Sequence, residues 1–379
     1  MEKVIDNRVI VIAVEHVEKH PNADRLDIVR FAGWSIVTQK GNFTSGDRAV
    51  YFPIDSVLPS ELELELFPPE SKIKLSKSRI KTIKIRGAIS QGMLVPATDP
   101  SILSRCGQVF IGDDITEKLG VTKYEPPIEQ APLGMGVTRA TKKHPYFPEY
   151  AKIPHFKNYP TLFEEGEQVV VTEKIHGTNF RAGWVPVDLD TFWKRIKYMA
   201  LSLVGKAQEW EFVFGSHHVN IADKGYGNGF YPKNVYQEAV ENYGLRHKIP
   251  MGFVIYGEIY GAGIQGGYSY GLDPGEHRLA IFDVLVSNDR GDQSFLDWAG
   301  VEHFGTSLLL PLVPVLYKGS YKPEIIDQWV QGESVLSPQQ KVREGCVIKP
   351  QVEQQCWMGR KFLRAINPEY LLKVETEWH

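Results

Sequence analysis

Short apolar runs, each cut off by a turn cluster, recur along this chain and restrict it to folds built from many short strands. Val9–Val14, Leu26–Phe31, Trp34–Val37 and Ala49–Phe52 alternate with the clusters His20–Asp24 and Gly41–Gly46. The 34 glycines and 24 prolines fit the same reading. Strands this short at this spacing predict a small barrel or sandwich over residues 1–110. Residues 111–160 read as a linker: Pro126, Pro127, Pro132, Pro145, Pro148, Pro154 and Pro160 interrupt any period, although Tyr146, Phe147, Tyr150 and Phe156 are apolar enough to need packing partners. Over 161–379 strands recur at Val169–Glu173, Glu211–Phe214, Phe253–Glu258, Leu279–Val286 and Cys346–Lys349. Helices are predicted over 190–204, where Phe192, Trp193, Ile196, Met199 and Leu203 share a face that reads as resting on the core, and more weakly over 234–243. A chain of 379 residues exceeds what one core usually supports, roughly 250–300 residues, so two domains are expected.

Composition narrows the function class. A net charge of −3 excludes a protein coated in basic charge, but leaves room for a local basic patch. Cys106, Cys346 and Cys356 are scattered and odd in number, against a disulfide framework or structural zinc, and a reducing cytoplasm suits them. The N-terminus lacks a signal peptide's apolar core, and the apolar run Leu308–Tyr317 is too short to span a membrane and is broken by Pro311 and Pro314.

The chemistry concentrates in Glu173-Lys174-Ile175-His176-Gly177-Thr178-Asn179-Phe180. The lysine follows the apolar run Val169-Val170-Val171 and precedes a Gly turn, where it can be held rigidly beside a bound phosphate. A free lysine, with a pKa of about 10.4, is a poor nucleophile without cationic neighbours, a metal or desolvation. Further along, Val254–Gly261 delivers Glu258 between glycines, and Arg278–Val284 carries Phe282, a base-stacking ring or a strand-core residue. Arg343–Pro350 opens on Glu344 and ends on Lys349, and Gly359–Asn367 carries Lys361 and Arg364.

In order and spacing these elements resemble the ATP-dependent RNA ligases, a family of covalent lysine nucleotidyltransferases, in the branch with an N-terminal OB-type domain. The segment His20–Leu26 is also similar to the opening of tRNA-binding OB-type domains. The resemblance implies an α+β fold: an OB-like barrel followed by an adenylation domain built on antiparallel sheets. It makes Lys174 the residue that takes AMP from ATP, with Glu173, Asn179, Glu258, Phe282, Lys349, Lys361 and Arg364 around the nucleotide. Glu258 and Glu344 become carboxylates for Mg²⁺ or Mn²⁺, and His176 joins Lys174, Glu258 and Glu344 as catalytic. Four positions depart from the pattern. Arg364 and Ile366 stand where lysines are expected, so that Lys361 or Lys373 would substitute; His176 replaces an Asp common in related enzymes; and His217 stands in the place of an arginine.

Between Lys72 and Arg86 the chain carries Lys72, Lys74, Lys77, Arg79, Lys81, Lys84 and Arg86 without an acid, interleaved with Ile73, Leu75, Ile80, Ile83 and Ile85. This reads as a strand pair with one buried and one basic face, suited to a phosphate backbone or, alternatively, to a solvated sheet edge. The implied activity is sealing of 3′-OH/5′-phosphate breaks in RNA, nicked duplexes above all, by a monomer. The rivals are a catalytically silent RNA-binding protein and a DNA ligase or mRNA-capping guanylyltransferase.

Overall fold

A computed structural model describes residues 8–71, 74–124, 144–189, 191–203, 209–217, 220–221, 235–264, 268–288 and 292–376. The chain divides into two compact units, Met1–Ile128 with Pro154–Leu162 and Pro368–His379, and Glu129–Ile153 with Phe163–Asn367. The linker expected over 111–160 is thus shared between the units, and the C-terminal helix Pro368–Thr376 belongs with the first.

In the first unit one three-stranded sheet runs Ile10–Ala13, Arg48–Phe52, Met93–Pro96, and another runs His16–Lys19, Leu26–Phe31, Trp34–Gln39, all antiparallel. Strand alternation sends Val11, Val50 and Phe52 into one core and Ile12, Ala49 and Tyr51 into another. With both faces covered, such strands read as continuous apolar runs rather than as an alternating pattern. Ala32-Gly33, both at positive φ, close the tight hairpin between Phe31 and Trp34.

The basic segment folds differently from the expected two-faced strand pair. Ser76–Ser78 form a 3₁₀ turn, and only Thr82–Ile85 is a strand, paired with Ala88–Gln91. The buried positions of this hairpin are Thr82, Ser90 and Gln91, whereas Ile83 is 47% exposed. Polar partners account for the inversion: the Val37 N–H donates to Ser90 Oγ, and Lys157 Nζ to Gln91 Oε1. Lys72 lies outside the described residues.

Besides the two-stranded ribbon of Gln355–Cys356 and Gly359–Arg360, the described residues of the second unit hold two antiparallel sheets. One has six strands in the order Asn220–Ile221, Trp210–Gly215, Thr178–Pro186, Phe253–Gly261, His277–Ser287, Gln293–Phe295; the other has four, Val315–Ser320, Gln168–Lys174, Gly345–Pro350, Leu363–Ile366. The segment 311–314 stitches them together: Ile281 N–H donates to Pro311 O, Val313 N–H to Ile281 O, and Glu173 N–H to Pro314 O. Every strand expected from the sequence in this half is present, and the expected helices appear as Phe192–Leu203 and Val235–Asn242. The first helix does not rest on the core as expected, since Phe192, Met199 and Leu203 are 70%, 59% and 89% exposed. It lies on the excursion beyond Pro186↔Trp210, the last ladder pair of its hairpin.

Candidate active site

Lys174 ends its strand opposite Gly345, one residue past Glu344. That register brings Lys174 Nζ to 2.6 Å from Glu344 Oε1, with the lysine side chain 25% and the glutamate 10% exposed. The neighbouring Glu173 turns inward, where its Oε2 accepts the Val335 N–H at 2.8 Å, and burial pushes its carboxyl above the usual range despite that bond. After Lys174 the chain turns through Ile175-His176-Gly177 into the six-stranded sheet. Gly177 is required there: a Cβ would strike the Ile259 carbonyl and Glu258 Cγ. The turn sets Asn179 directly across from Glu258, so these two side chains share one face.

Between these groups lies a cavity of about 270 Å³, close to the lower end of small-molecule sites at about 300 Å³. Thr172, Lys174, Val347 and Lys349 line it from the four-stranded sheet, and Asn179, Glu258 and Phe282 from the six-stranded one. Phe282 is placed by a β-bulge. Tyr256 pairs with Asp283 and Gly257 with Ile281, leaving Phe282 without a ladder partner and its side chain re-aimed into the cavity wall.

Glu258 is only partly covered, yet removal from water pushes its carboxyl up to about 8; Glu344 adds to the rise and Lys174 opposes it. Lys349 is buried, bonded to Phe282 O at 3.1 Å and 3.4 Å from Asp283 Oδ1. Desolvation lowers its ammonium pKa and Asp283 resists that shift. Asp283, fully buried, also accepts from Tyr150 Oη at 2.7 Å and pairs with Arg360 at 2.9 Å. This anchors the strand that carries Phe282.

Of the site residues expected from sequence, Lys174, Glu173, Asn179, Glu258, Phe282 and Lys349 line one cavity, Glu344 bonds to its lysine, and His217 is also in the wall. His176 packs edge-on to Tyr268 at 4.9 Å, and its backbone N–H donates to Tyr270 Oη. Lys361 is not brought to the cavity: its Nζ is held by Glu167 at 2.8 Å, over the Phe163 ring. Arg364 pairs across its ladder with Val347 and so starts on the cavity face of its sheet, but is not among the lining residues. The Lys373 side chain lies outside the described residues. Sequence reading missed Tyr150, Ala151 and Ile153, which form a cavity wall from within the expected linker. The apolar character of Tyr146, Phe147 and Tyr150 was the available signal.

Hard oxygen donors suit a divalent cation. Among the described residues, Glu344 Oε2 and Asn179 Oδ1 are buried without a hydrogen-bond partner, and Glu258 adds a second carboxyl group at the cavity wall. Among the described residues no three His, Cys, Asp or Glu side chains cluster as a metal cage. Two carboxylates completed by water and phosphate oxygens match the way Mg²⁺ is usually held.

A family model described as RNA ligase matches residues 167–365, more than half of the protein. The chain belongs to the RNA ligase family. An OB-fold domain model matches residues 9–97 of this RNA ligase family member, in agreement with the sheets of the first unit. Solved structures of Naegleria gruberi RNA ligase are similar in fold. A Lys-to-Ala mutant with ATP and Mn is 21% identical with a TM-score of 0.68, covering 96% of this chain and 98% of that one. The form with PPi is 21% identical at 0.68, covering 98% and 100%. The phenylalanine–tRNA ligase β subunit of Geobacter sulfurreducens is 35% identical over 92 residues, 23% of this chain. The chain spans about a tenth of that relative's length, the match covering 10% of it.

Proposed function

We propose that this protein is an ATP-dependent RNA ligase that seals 3′-OH/5′-phosphate nicks in RNA duplexes. The observation that carries the reading is the Lys174–Glu344 pair at 2.6 Å on a cavity that also holds Glu258, Asn179 and Phe282. In the first step the deprotonated Lys174 Nζ forms an N–P bond to the α-phosphorus of ATP, the bond to the bridging oxygen breaks, and pyrophosphate leaves. In the second step a 5′-phosphate oxygen of RNA displaces Lys174 from that phosphorus. In the third, a 3′-hydroxyl attacks the RNA phosphate and AMP departs. Lys174 needs a proton acceptor before it can attack; Phe282 offers a flat apolar surface to the base, and Lys349 a cation at the cavity wall.

Glu258 and Glu344 would hold Mg²⁺ or Mn²⁺, which when bound supplies charge neutralisation for the α-phosphate. The rest of the catalysis is positioning, since in-line displacement requires little else from the protein. A Lys-to-Ala mutant of the Naegleria enzyme was solved with ATP and Mn, which supports ATP and a divalent cation as the ligands here. In the first unit, Lys74, Lys77, Lys84 and Arg86 are exposed, and with the half-buried Lys81 we assign them to the RNA backbone. The free thiols of Cys106, Cys346 and Cys356 suit a reducing cytoplasm, and a monomer would suffice for the three steps. No helix among the described residues is long and apolar enough to cross a membrane.

The test is sealing of a 5′-labelled nick in duplex RNA with ATP and either metal. Joined product from wild type and none from Lys174→Ala is expected. Salt-sensitive RNA binding without AMP transfer would point instead to a silent binding protein, and sealing confined to nicked DNA would point to a DNA ligase.

A further inference from the structure

The turn after Lys174 is held by a residue in an unusual backbone state. Tyr270 has φ 53°, the left-handed region that few bulky side chains adopt. Such strain persists only where the surroundings over-determine it, and it clusters at functional sites. Here its hydroxyl accepts the His176 backbone N–H at 2.7 Å in a buried setting. The Tyr270 ring packs edge-on against Tyr260 at 5.1 Å. Burial raises the Tyr270 hydroxyl pKa, with Glu344 and Glu173 adding to the rise, so the phenol stays neutral.

The next residue, Gly271 at φ 73°, comes close to the loop of residues 335–339: a Cβ on it would meet the Gln339 and Ser337 side chains. The same loop supplies Val335, whose N–H binds Glu173. Lys174 is therefore gripped on both sides, one residue before it through Glu173 and two residues after it through His176, and both grips lead to residues 335–339.

We propose that Tyr270 is a positioning residue for AMP transfer, its hydroxyl fixing the His176 amide and so the line of approach of Lys174 Nζ. The inference rests on the ligase reading and adds to it a group that is not among the residues lining the cavity. Its removal should slow attack without loosening ATP.

The experiment compares wild type with Tyr270→Phe, which keeps the ring packing and removes only the acceptor oxygen. Single-turnover formation of the lysyl adduct is followed against ATP concentration, beside the melting temperature and hydrogen exchange at the His176 amide. The inference expects the rate at saturating ATP to fall about tenfold, with half-saturation within about twofold of wild type, and the His176 amide to exchange about tenfold faster. A Phe variant that transfers AMP at the wild-type rate, or whose His176 amide exchanges unchanged, overturns the clamp. So does a rate loss matched by an equal loss of ATP affinity and a lowered melting temperature, since that marks a structural role only. A wild type that takes no AMP at all defeats the ligase reading and this inference with it, whereas a clamp failure leaves wild-type transfer intact.

Discussion

At the scale of single residues, burial governs the protonation of Glu258. Glu258 keeps its proton up to about 8 when folded and loses it near its ordinary value of 4.5 when unfolded. Between those values the folded protein binds the extra proton, so stability falls as pH rises through the window and levels off above it. Glu258→Gln removes this dependence. Urea unfolding at about pH 5 and about pH 8 should show a drop for wild type and a smaller one for the variant; equal drops would refute the assignment. The convergence of Lys174 and Glu258 on one cavity, with Glu344 bonded to the lysine, was legible in the sequence because each sits in a short motif beside an apolar run and a glycine. The fate of Lys361 was not, because its pairing with Glu167 joins residues 194 apart in sequence. Tyr270 was invisible for a related reason: nothing in its neighbours signals a left-handed backbone.

Among elements, the decisive contact is the close crossing of the lysine turn over the Glu258 strand. Gly177→Ala places a methyl group against the Ile259 backbone carbonyl, which cannot rotate away as a flexible side chain would. Overpacking of this kind should cost about 2 kcal/mol in denaturant unfolding, with AMP transfer reduced as Asn179 and Glu258 move apart. An unchanged midpoint would show that the strands can separate freely. Strand positions were readable from apolar runs and turns, but the bulge that aims Phe282 was not, because a bulge depends on register with the partner strand. The same limit applies to Phe192–Leu203: its amphipathic spacing fixes which residues share a face, whereas burial depends on what lies opposite.

On the scale of the whole molecule, an RNA ligase needs a basic surface that is not consumed internally. Arg79 is consumed: its guanidinium bonds to Asp55 at 2.5 Å and stacks over Tyr124 at 4.0 Å. Arg79→Ala should therefore lower the stability of the first unit. Lys84→Ala and Arg86→Ala should weaken RNA binding and each reduce its log–log salt slope by about one. Titrations at several salt concentrations separate the two effects, and an unchanged slope for both surface variants would remove them from the RNA interface. Overall negative charge does not oppose this, because the field that matters is local.

The most direct measurement of all is intact-protein mass after incubation with ATP and Mg²⁺ or Mn²⁺, for wild type and Lys174→Ala. Wild type should gain the mass of one AMP, and the Ala variant none. A folded wild type, free of AMP as purified, that gains no mass with either metal would contradict the assignment of Lys174 as the nucleophile.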